Sequence, residues 1–229
     1  MNTKKTILIT GSTGGIGGEL ARQLLTDGYE LYLPVRTIEK AQELIAFPNA
    51  HVEKCSLENY EEVQAYMDSM IASGIFFEYV LPLAGDLRKD SNPMFIGNTP
   101  QEKVDASIEH HMRANVLTFD TVVTGLERSF GEKLKDTTLL VMSSWAAHFA
   151  KDNPYRINEE GYVVSKNILS AKGVELKNTE KFKEVIIEEP ALIDTPMTRR
   201  EFPELIADPN VPKQSPEQYV KHLRDVLHI

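Results

Sequence analysis

The sequence has a single cysteine, a single tryptophan and no long hydrophobic run. One cysteine cannot form an intrachain disulfide, which favours a reducing compartment, and we expect Cys55 to be a small buried apolar residue. The first apolar run, residues 7–9, is too short for the core of a secretory signal or for a membrane-spanning helix. These absences predict a cytoplasmic protein without a membrane partner.

Positive charge is also scarce, with 25 lysine and arginine residues against 34 acidic residues and a formal net charge of −9. A nucleic-acid surface needs a basic stripe, so we expect no nucleic-acid partner. An anionic dinucleotide is not excluded, because a helix N-terminus and a few local cations bind phosphate whatever the global charge. The adjacent His110 and His111 have no partner at metal-ligand spacing, so we expect surface histidines and no metal site.

Short apolar runs alternate with amphipathic stretches along the 229 residues. This alternation is typical of a parallel sheet with helices on both faces, and it indicates one α/β domain over residues 1–229. Residues 197–216, rich in proline and charge from 201 onwards, predict a surface loop or substrate lid. We expect about six strands, at 7–9, 30–35, 51–55, 79–83, 138–142 and 185–188, and helices at 15–27, 38–47, 59–72, 100–130, 161–176 and 216–228.

A glycine cluster, Thr10-Gly11-Ser12-Thr13-Gly14-Gly15-Ile16-Gly17, lies between the first strand and the first helix. Glycines here let the backbone turn sharply and approach a pyrophosphate, and the following helix offers unpaired N–H groups. The spacing differs from the GxGxxG dinucleotide fingerprint. A glycine cluster alone is a weak signal, but its position between strand and helix predicts phosphate binding.

Tyr162 and Lys166 stand four residues apart in a predicted helix. Residues at this spacing share a helix face, so the ammonium can lie beside the phenol. A nearby positive charge favours the phenolate and lowers the pKa of the phenol, which suits a general acid or base. The alternative is a half-buried packing tyrosine with a solvated lysine neighbour.

Several motifs occur in a fixed order along the chain. The glycine cluster comes first, followed by Asn115, by Ser144 after the fifth strand, and by the Tyr-x-x-x-Lys pair at 162–166. Residues 190–197 then resemble a Pro-Gly-x-x-x-Thr segment. Together, these motifs resemble those of the short-chain dehydrogenase/reductase family, over nearly the whole chain.

The resemblance implies an NAD(P)-binding domain with a single Rossmann-like, doubly wound parallel sheet. It also implies the catalytic roles. Tyr162 exchanges the proton, Ser144 hydrogen-bonds the substrate oxygen, and Lys166 holds the nicotinamide ribose and tunes the tyrosine. Asn115 positions a water for a proton relay. Ser143 remains the alternative to Ser144, because either serine can simply end the strand.

Cofactor choice depends on the tip of the second strand, which carries Arg36 and Thr37 and no acid. A carboxylate there would bind the ribose 2′-hydroxyl, whereas a guanidinium beside a hydroxyl suits a 2′-phosphate. We therefore expect NADP(H), with NAD(H) as the alternative because the glycine turn has no basic residue. The expected cofactor-binding residues are Gly11, Ser12, Thr13, Gly15, Ile16, Gly17, Arg36, Thr37, Ala84, Gly85, Tyr162, Lys166, Pro190, Ile193 and Thr195.

Some positions depart from the family pattern. Residues 82–85, Pro-Leu-Ala-Gly, replace the usual Asn-Asn-Ala-Gly, and the proline removes a donor from a central strand. Ser56 replaces an acid and Ala191 a glycine. Residues 151–156 are an insertion expected to alter the rim of the pocket. The chain also ends directly after a helix, where relatives add a seventh strand, so we expect a homodimer through the long helices, or a monomer, rather than a tetramer.

The leading hypothesis is an NADP(H)-dependent oxidoreductase acting on a small carbonyl or alcohol, with Tyr162 as general acid/base. The alternative is a non-catalytic NADP(H)-binding sensor or scaffold, because the turn also fits Gly11-x-x-Gly14-x-x-Gly17, the spacing of non-catalytic regulators. An epimerase or dehydratase would need a larger C-terminal domain than 229 residues allow.

Overall fold

The computed structural model describes residues 5–148 and 159–229, and these form a sheet of six parallel strands. The strand order is β3-β2-β1-β4-β5-β6, which confirms the predicted α/β class. The order in which strands are added to the sheet reverses between β1 and β4. The carboxyl ends of these two strands form the crevice where such sheets bind ligands. The strands are β1 Thr6–Thr10, β2 Glu30–Val35, β3 Ala50–Lys54, β4 Tyr79–Pro82, β5 Thr138–Met142 and β6 Glu184–Glu188.

Helices cover both faces of this sheet. Leu8 packs in one hydrophobic cluster, whereas its neighbours Ile7 and Ile9 pack in the other, so alternate residues of β1 are buried on opposite faces. Burial on both sides explains why the strand is continuously apolar. The α-helices are α1 Gly15–Thr26, α2 Gln42–Ile45, α3 Tyr60–Ala72, α4 Pro100–His111, α5 Thr118–Phe130, α6 Glu160–Asn178, α7 Pro196–Glu201, α8 Pro203–Ala207 and α9 Pro216–Leu227.

The long helix predicted at 100–130 is interrupted by a π-helical segment, Met112–Leu117, that joins α4 to α5. α4 begins with a capping box, in which the Thr99 side chain accepts from the Glu102 N–H and the Glu102 carboxylate accepts from the Thr99 N–H. π-helical turns are rare and often lie at functional sites. Here the π-helical segment carries Asn115.

One expectation needs correction. The predicted loop at 197–216 is helical up to residue 207, because the Thr195 side chain caps α7 and Pro196 fits its first turn. Pro82 ends β4, a central strand, opposite Thr10 of β1, whereas the pairing with β5 involves Tyr79 and Val80. The insertion at 151–156 lies outside the described residues.

Membrane-spanning helices and metal-ligand clusters can be assessed for the described residues. None of the helices in ranges 5–148 and 159–229 is long and apolar enough to cross a membrane. The same ranges contain no group of three or more histidine, cysteine, aspartate or glutamate residues arranged to hold a metal ion.

Candidate active site

The glycine turn follows β1 at the carboxyl edge of the sheet. Gly11 has φ +69°, and a Cβ there would lie 2.7 Å from the backbone of Leu83 and Ala84. A Cβ on Gly17 would lie 2.4 Å from the Gly11 carbonyl oxygen. These approaches are too short for any side chain, so the turn requires glycine at both positions.

The residue after Gly11 has an unsatisfied hydroxyl. Ser12 is 1% exposed, and its Oγ has no hydrogen-bond partner among the described residues. A buried polar group without a partner is costly, and it usually marks a place where a ligand or ion supplies the missing bond. α1 begins directly after this turn, and its N-cap residue, Gly14, has no side chain to cap the first N–H groups. The turn therefore fits an anionic group such as a pyrophosphate.

A cavity of about 600 Å³ extends from this turn along the carboxyl edge of the sheet. Arg36 lies in its wall, whereas Thr37 does not. The predicted catalytic side chains are also absent from the wall, among the residues that the structure describes. The predicted cofactor-binding residues that do line it are Gly11, Ser12, Thr13, Arg36, Ala84 and Gly85.

The predicted catalytic residues meet next to this cavity, beneath a cover of other side chains. The Ser144 hydroxyl lies close enough to the Tyr162 phenol to lower the pKa of that phenol. The Lys166 Nζ lies 5.6 Å from the centroid of the Tyr162 ring and donates to the Met142 carbonyl oxygen over 3.0 Å. Tyr162, Lys166 and Ser144 are each less than 9% exposed.

The neighbouring Ser143 points elsewhere. Its Oγ donates to the Lys166 carbonyl oxygen over 2.8 Å and lies 2.6 Å from the Ser170 Oγ. Ser143 therefore joins the end of β5 to α6. Of the two serines, only Ser144 faces the phenol.

Burial dominates the proton affinities in this cluster. It raises the pKa of Tyr162 above its ordinary value, and the hydrogen bond with Ser144 lowers that pKa by less. Burial also lowers the pKa of Lys166 to about 8. The expectation that Lys166 depresses the pKa of the phenol is therefore wrong for this structure, because burial of the phenol dominates its pKa and Ser144, not Lys166, is the group that lowers it. Tyr162 keeps its proton at neutral pH, which suits a proton donor.

Asn115 is 1% exposed, so it is not a polar surface residue. Its Oδ1 accepts from the Asp86 N–H over 2.7 Å, and its Nδ2 donates to the Asp86 carbonyl and to the Ser165 Oγ. These bonds brace the chain after β4 against α6. Both ends of the side-chain amide are used within the protein, and the main-chain carbonyl of Asn115 accepts from the Thr118 Oγ1 over 3.4 Å.

His111 was expected at the surface but is fully buried. Its Nε2 accepts from the Arg88 N–H over 3.1 Å, so the proton lies on Nδ1, which donates to the Ser107 carbonyl over 2.7 Å. Burial lowers the pKa of this imidazole, which keeps it neutral. The ring packs edge-on against Tyr162, with centroids 6.0 Å apart. The His110 ring packs edge-on against the His111 ring, with centroids 5.2 Å apart, and its Nε2 lies 3.0 Å from the Asp86 Oδ2.

α7 and α8 cover the phenol through a hydrophobic cluster that the sequence does not indicate, and we refer to these two helices as the lid. Phe202, between the two helices, is 6% exposed and packs with Tyr162 and Leu87. Ala146 completes the buried part of this cluster. Scattered apolar residues of this kind carry no motif, and only their convergence in space marks them.

A buried carboxylate fixes the lid. Glu201 is 5% exposed and accepts hydrogen bonds from the Lys89 N–H, the Arg200 Nε and the Asn92 Nδ2 over 2.7–3.3 Å. The Arg88 guanidinium lies 3.3 Å from the same carboxylate. We refer to these residues as the Glu201 cluster. It holds α7 against the chain that follows β4.

The segment predicted to lie along the nicotinamide packs on the glycine turn. A Cβ on Gly15 would lie 2.8 Å from the Thr195 Cβ, so these two residues touch. The Thr195 Oγ1 accepts from the Thr198 N–H over 3.2 Å. Pro190 and Ile193 hold the segment in place, through the hydrogen bond from the Trp145 N–H to the Pro190 carbonyl and through a β-bridge from Ile193 to residue 214.

Comparison with known families gives a match over most of the chain. A family model described as short chain dehydrogenase matches residues 5–205. The dehydrogenase/reductase SDR family member FEY of Arabidopsis thaliana is 34% identical over 115 residues, which are 49% of this chain and 31% of that protein. This chain therefore matches about a third of the length of that curated relative.

Solved structures share the fold at low sequence identity. The 3-ketoacyl-(acyl-carrier-protein) reductase of Brucella melitensis, complexed with NADH, has a TM-score of 0.76 at 17% identity, over 97% of this chain and 90% of that one. ElxO with bound NADP has a TM-score of 0.74 at 18% identity, over 97% and 91%. A serine dehydrogenase complexed with NADP+ has a TM-score of 0.76 at 18% identity, over 98% and 89%.

Proposed function

Because the chain belongs to the short-chain dehydrogenase family, we propose that it transfers a hydride between NADP(H) and a small carbonyl or alcohol. The observation that carries this proposal is the buried contact between the Ser144 hydroxyl and the Tyr162 phenol, with the Lys166 ammonium beside it. The nicotinamide cofactors named for ElxO and for the Brucella reductase support the same cofactor class.

The bound nicotinamide would supply or accept the hydride. In the direction of reduction, negative charge develops on the carbonyl oxygen as the hydride arrives, so hydrogen-bond donors must already point at that oxygen. Tyr162 donates its proton to the oxygen, and Ser144 donates a hydrogen bond to it. Lys166 stabilises the phenolate that remains. In oxidation, the same phenolate accepts the proton of the alcohol.

The glycine turn and Ser12 would hold the pyrophosphate, and the segment from Pro190 to Thr195 would hold the carboxamide. Support for NADP(H) comes from Arg36 and Lys40, which both line the cavity near the tip of β2. A cation at that place suits a 2′-phosphate. NAD(H) is the alternative cofactor.

The lid excludes water from the site of hydride transfer. Phe202 and Leu87 cover the phenol with apolar surface, which strengthens electrostatic interactions beneath them. Substrate must displace this cover to reach Tyr162, so we propose that α7 and α8 move during each turnover.

The test is to mix the purified protein with NADPH and a panel of ketones and aldehydes, and to follow NADPH oxidation by its absorbance. The proposal predicts oxidation with at least one neutral carbonyl compound. Firm NADPH binding without oxidation across a broad panel would contradict it.

That contradicting outcome would favour the second candidate, a non-catalytic sensor or scaffold that binds NADP(H). One observation supports this candidate, because the cavity is open at the glycine turn while Tyr162 lies under the lid. A sensor would hold the reduced cofactor without consuming it. The two candidates therefore differ in whether bound NADPH is ever oxidised.

A further inference from the structure

A carboxylate lies between two guanidiniums at the end of the cavity next to the tip of β2. The Glu58 Oε2 lies 2.9 Å from the Arg113 Nη2, and its Oε1 lies 3.9 Å from the Arg36 Nη1. The three residues come from the end of β2, the connection from β3 to α3, and the π-helical segment. All three line the same cavity as the glycine turn.

Three cations, Arg36, Lys40 and Arg113, line the cavity, and Glu58 lies between the two arginines. The other acids in the wall are Glu109 and Asp86, and Asp86 pairs with Arg88 and Arg200. The whole chain carries a formal charge of −9. A local group of cations in an acidic protein favours an anionic ligand at that place.

The position of these cations in the fold indicates which anionic ligand they would bind. In dinucleotide-binding sheets the adenosine ribose lies at the tip of the second strand, where an acid binds the 2′-hydroxyl or an arginine accommodates a 2′-phosphate. Arg36 occupies that tip. Arg113 approaches the same carboxylate from the helical wall on the other side of the crevice.

We infer that Arg113 is a second arm for the 2′-phosphate of NADP(H), and that Glu58 is the internal counter-ion which this phosphate displaces. The inference rests on the proposed function and extends it to selectivity. Guanidiniums bind carboxylate and phosphate oxygens alike, so the Glu58 carboxylate, hydrogen-bonded to Arg113 and 3.9 Å from Arg36, lies where phosphate oxygens would lie.

Displacing Glu58 from the two arginines costs little free energy because both ion pairs are exposed to solvent. The side chains of Arg36 and Arg113 are 77% and 62% exposed, and solvent-exposed ion pairs contribute little to stability. Glu58 repels a dianionic phosphate but does not repel a ribose hydroxyl. Glu58 therefore lowers the selectivity for NADP(H) over NAD(H), whereas Arg113 raises it.

The test uses two nucleotides that differ only by the 2′-phosphate, adenosine 2′,5′-bisphosphate and adenosine 5′-monophosphate. Calorimetric titration of the full chain gives the affinity ratio of the two. We expect Arg113→Met to lower the affinity for the bisphosphate about tenfold and the affinity for the monophosphate less than twofold. Arg128→Met is the matched control, because Arg128 contacts Tyr60 and is not in the cavity wall. Monophosphate affinity also reports whether the variant is folded.

A second variant tests the counter-ion. Glu58→Gln keeps the shape of the side chain but removes its charge, and we expect the affinity ratio to rise at least threefold in favour of the bisphosphate. An unchanged ratio in Arg113→Met, or a lower ratio in Glu58→Gln, overturns the inference while leaving the proposed function intact. If the wild type binds neither nucleotide nor NADP(H), the proposed function fails, and the inference fails with it.

Discussion

The two ends of the site differ in how they are built. The glycine-turn end is an open cavity, fixed by backbone approaches between Gly11, Gly17 and the chain after β4. The catalytic end is closed, and side chains of the lid cover Tyr162. Strand ends position the first region, whereas a short helical segment held by hydrogen bonds covers the second. The difference supports the proposal that the cofactor site is already formed and that the substrate site opens when the lid moves.

The largest effect should follow from a change in the rigid end. In Gly17→Ala the added methyl meets the Gly11 carbonyl oxygen at 2.4 Å, so the turn must deform. We expect NADPH affinity, measured by fluorescence titration, to fall at least a hundredfold.

Gly74→Ala is the control for this variant, because Gly74 also has positive φ but a Cβ there would meet nothing within 4 Å. The control should lose some stability and keep its NADPH affinity. Equal losses of affinity in both variants would mean that the glycine turn does not form the cofactor site.

An intermediate effect is expected from the Glu201 cluster, which fixes the closed end. Burial raises the pKa of Glu201, but hydrogen bonds from Arg200, from the Lys89 N–H and from Asn92 outweigh it and hold the pKa below its usual range. Glu201→Gln weakens these charged hydrogen bonds. We expect amide hydrogen exchange over residues 196–207 to accelerate about tenfold, which is ~1.4 kcal/mol of local stability.

Glu204→Gln is the matched control, since Glu204 is exposed and pairs with Lys89 alone among the described contacts. Exchange in α1 should not change in either variant. If exchange in the lid were equally fast in both variants, the Glu201 cluster would not be what keeps the lid closed.

The smallest effect concerns a buried acid at the start of α6. Burial raises the pKa of Glu159 from 4.5 to about 7. The folded protein then binds this proton more tightly than the unfolded chain does, so the stability that it contributes is present below pH 4.5 and lost as pH rises to 7. The free energy of unfolding should fall by about 1 kcal/mol over that interval, after allowance for solvent screening.

Urea unfolding of the wild type and of Glu159→Gln at pH 4.5 and pH 7.5 checks this prediction. The variant should lack this part of the pH dependence, while Glu160→Gln at the exposed neighbouring position should retain it. A variant with the same pH dependence as the wild type would assign the effect to other groups.

The same contrast explains what the sequence predicts and what it does not. The glycine turn and β1 follow from local rules, because backbone geometry and strand burial act over a few residues. The pairing of Ser144 with Tyr162 follows from motif order. The composition of residues 197–216 predicts a loop or lid, but it does not predict the contacts of Phe202 and Glu201. These two residues acquire their roles only through the chain after β4, more than a hundred residues away.

The raised pKa of Tyr162 and the burial of His111 also depend on contacts between residues that are distant in the sequence. Helix spacing places Lys166 beside the phenol, but it does not indicate how deeply the phenol is buried from solvent. Desolvation depends on the lid and on α4, and it reverses the expected direction of the pKa shift.

The central claim is that the phenol at position 162 transfers the proton while the rest of the site binds the cofactor. The most direct measurement compares wild type with Tyr162→Phe, using NADPH affinity and the rate of NADPH oxidation with a carbonyl compound that the wild type reduces. Tyr60→Phe is the control, since it removes a phenol hydroxyl that contacts Gln64 and Arg128. We predict NADPH affinity within twofold of wild type and a rate at least ~100-fold lower for Tyr162→Phe. An unchanged rate in that variant would contradict the account.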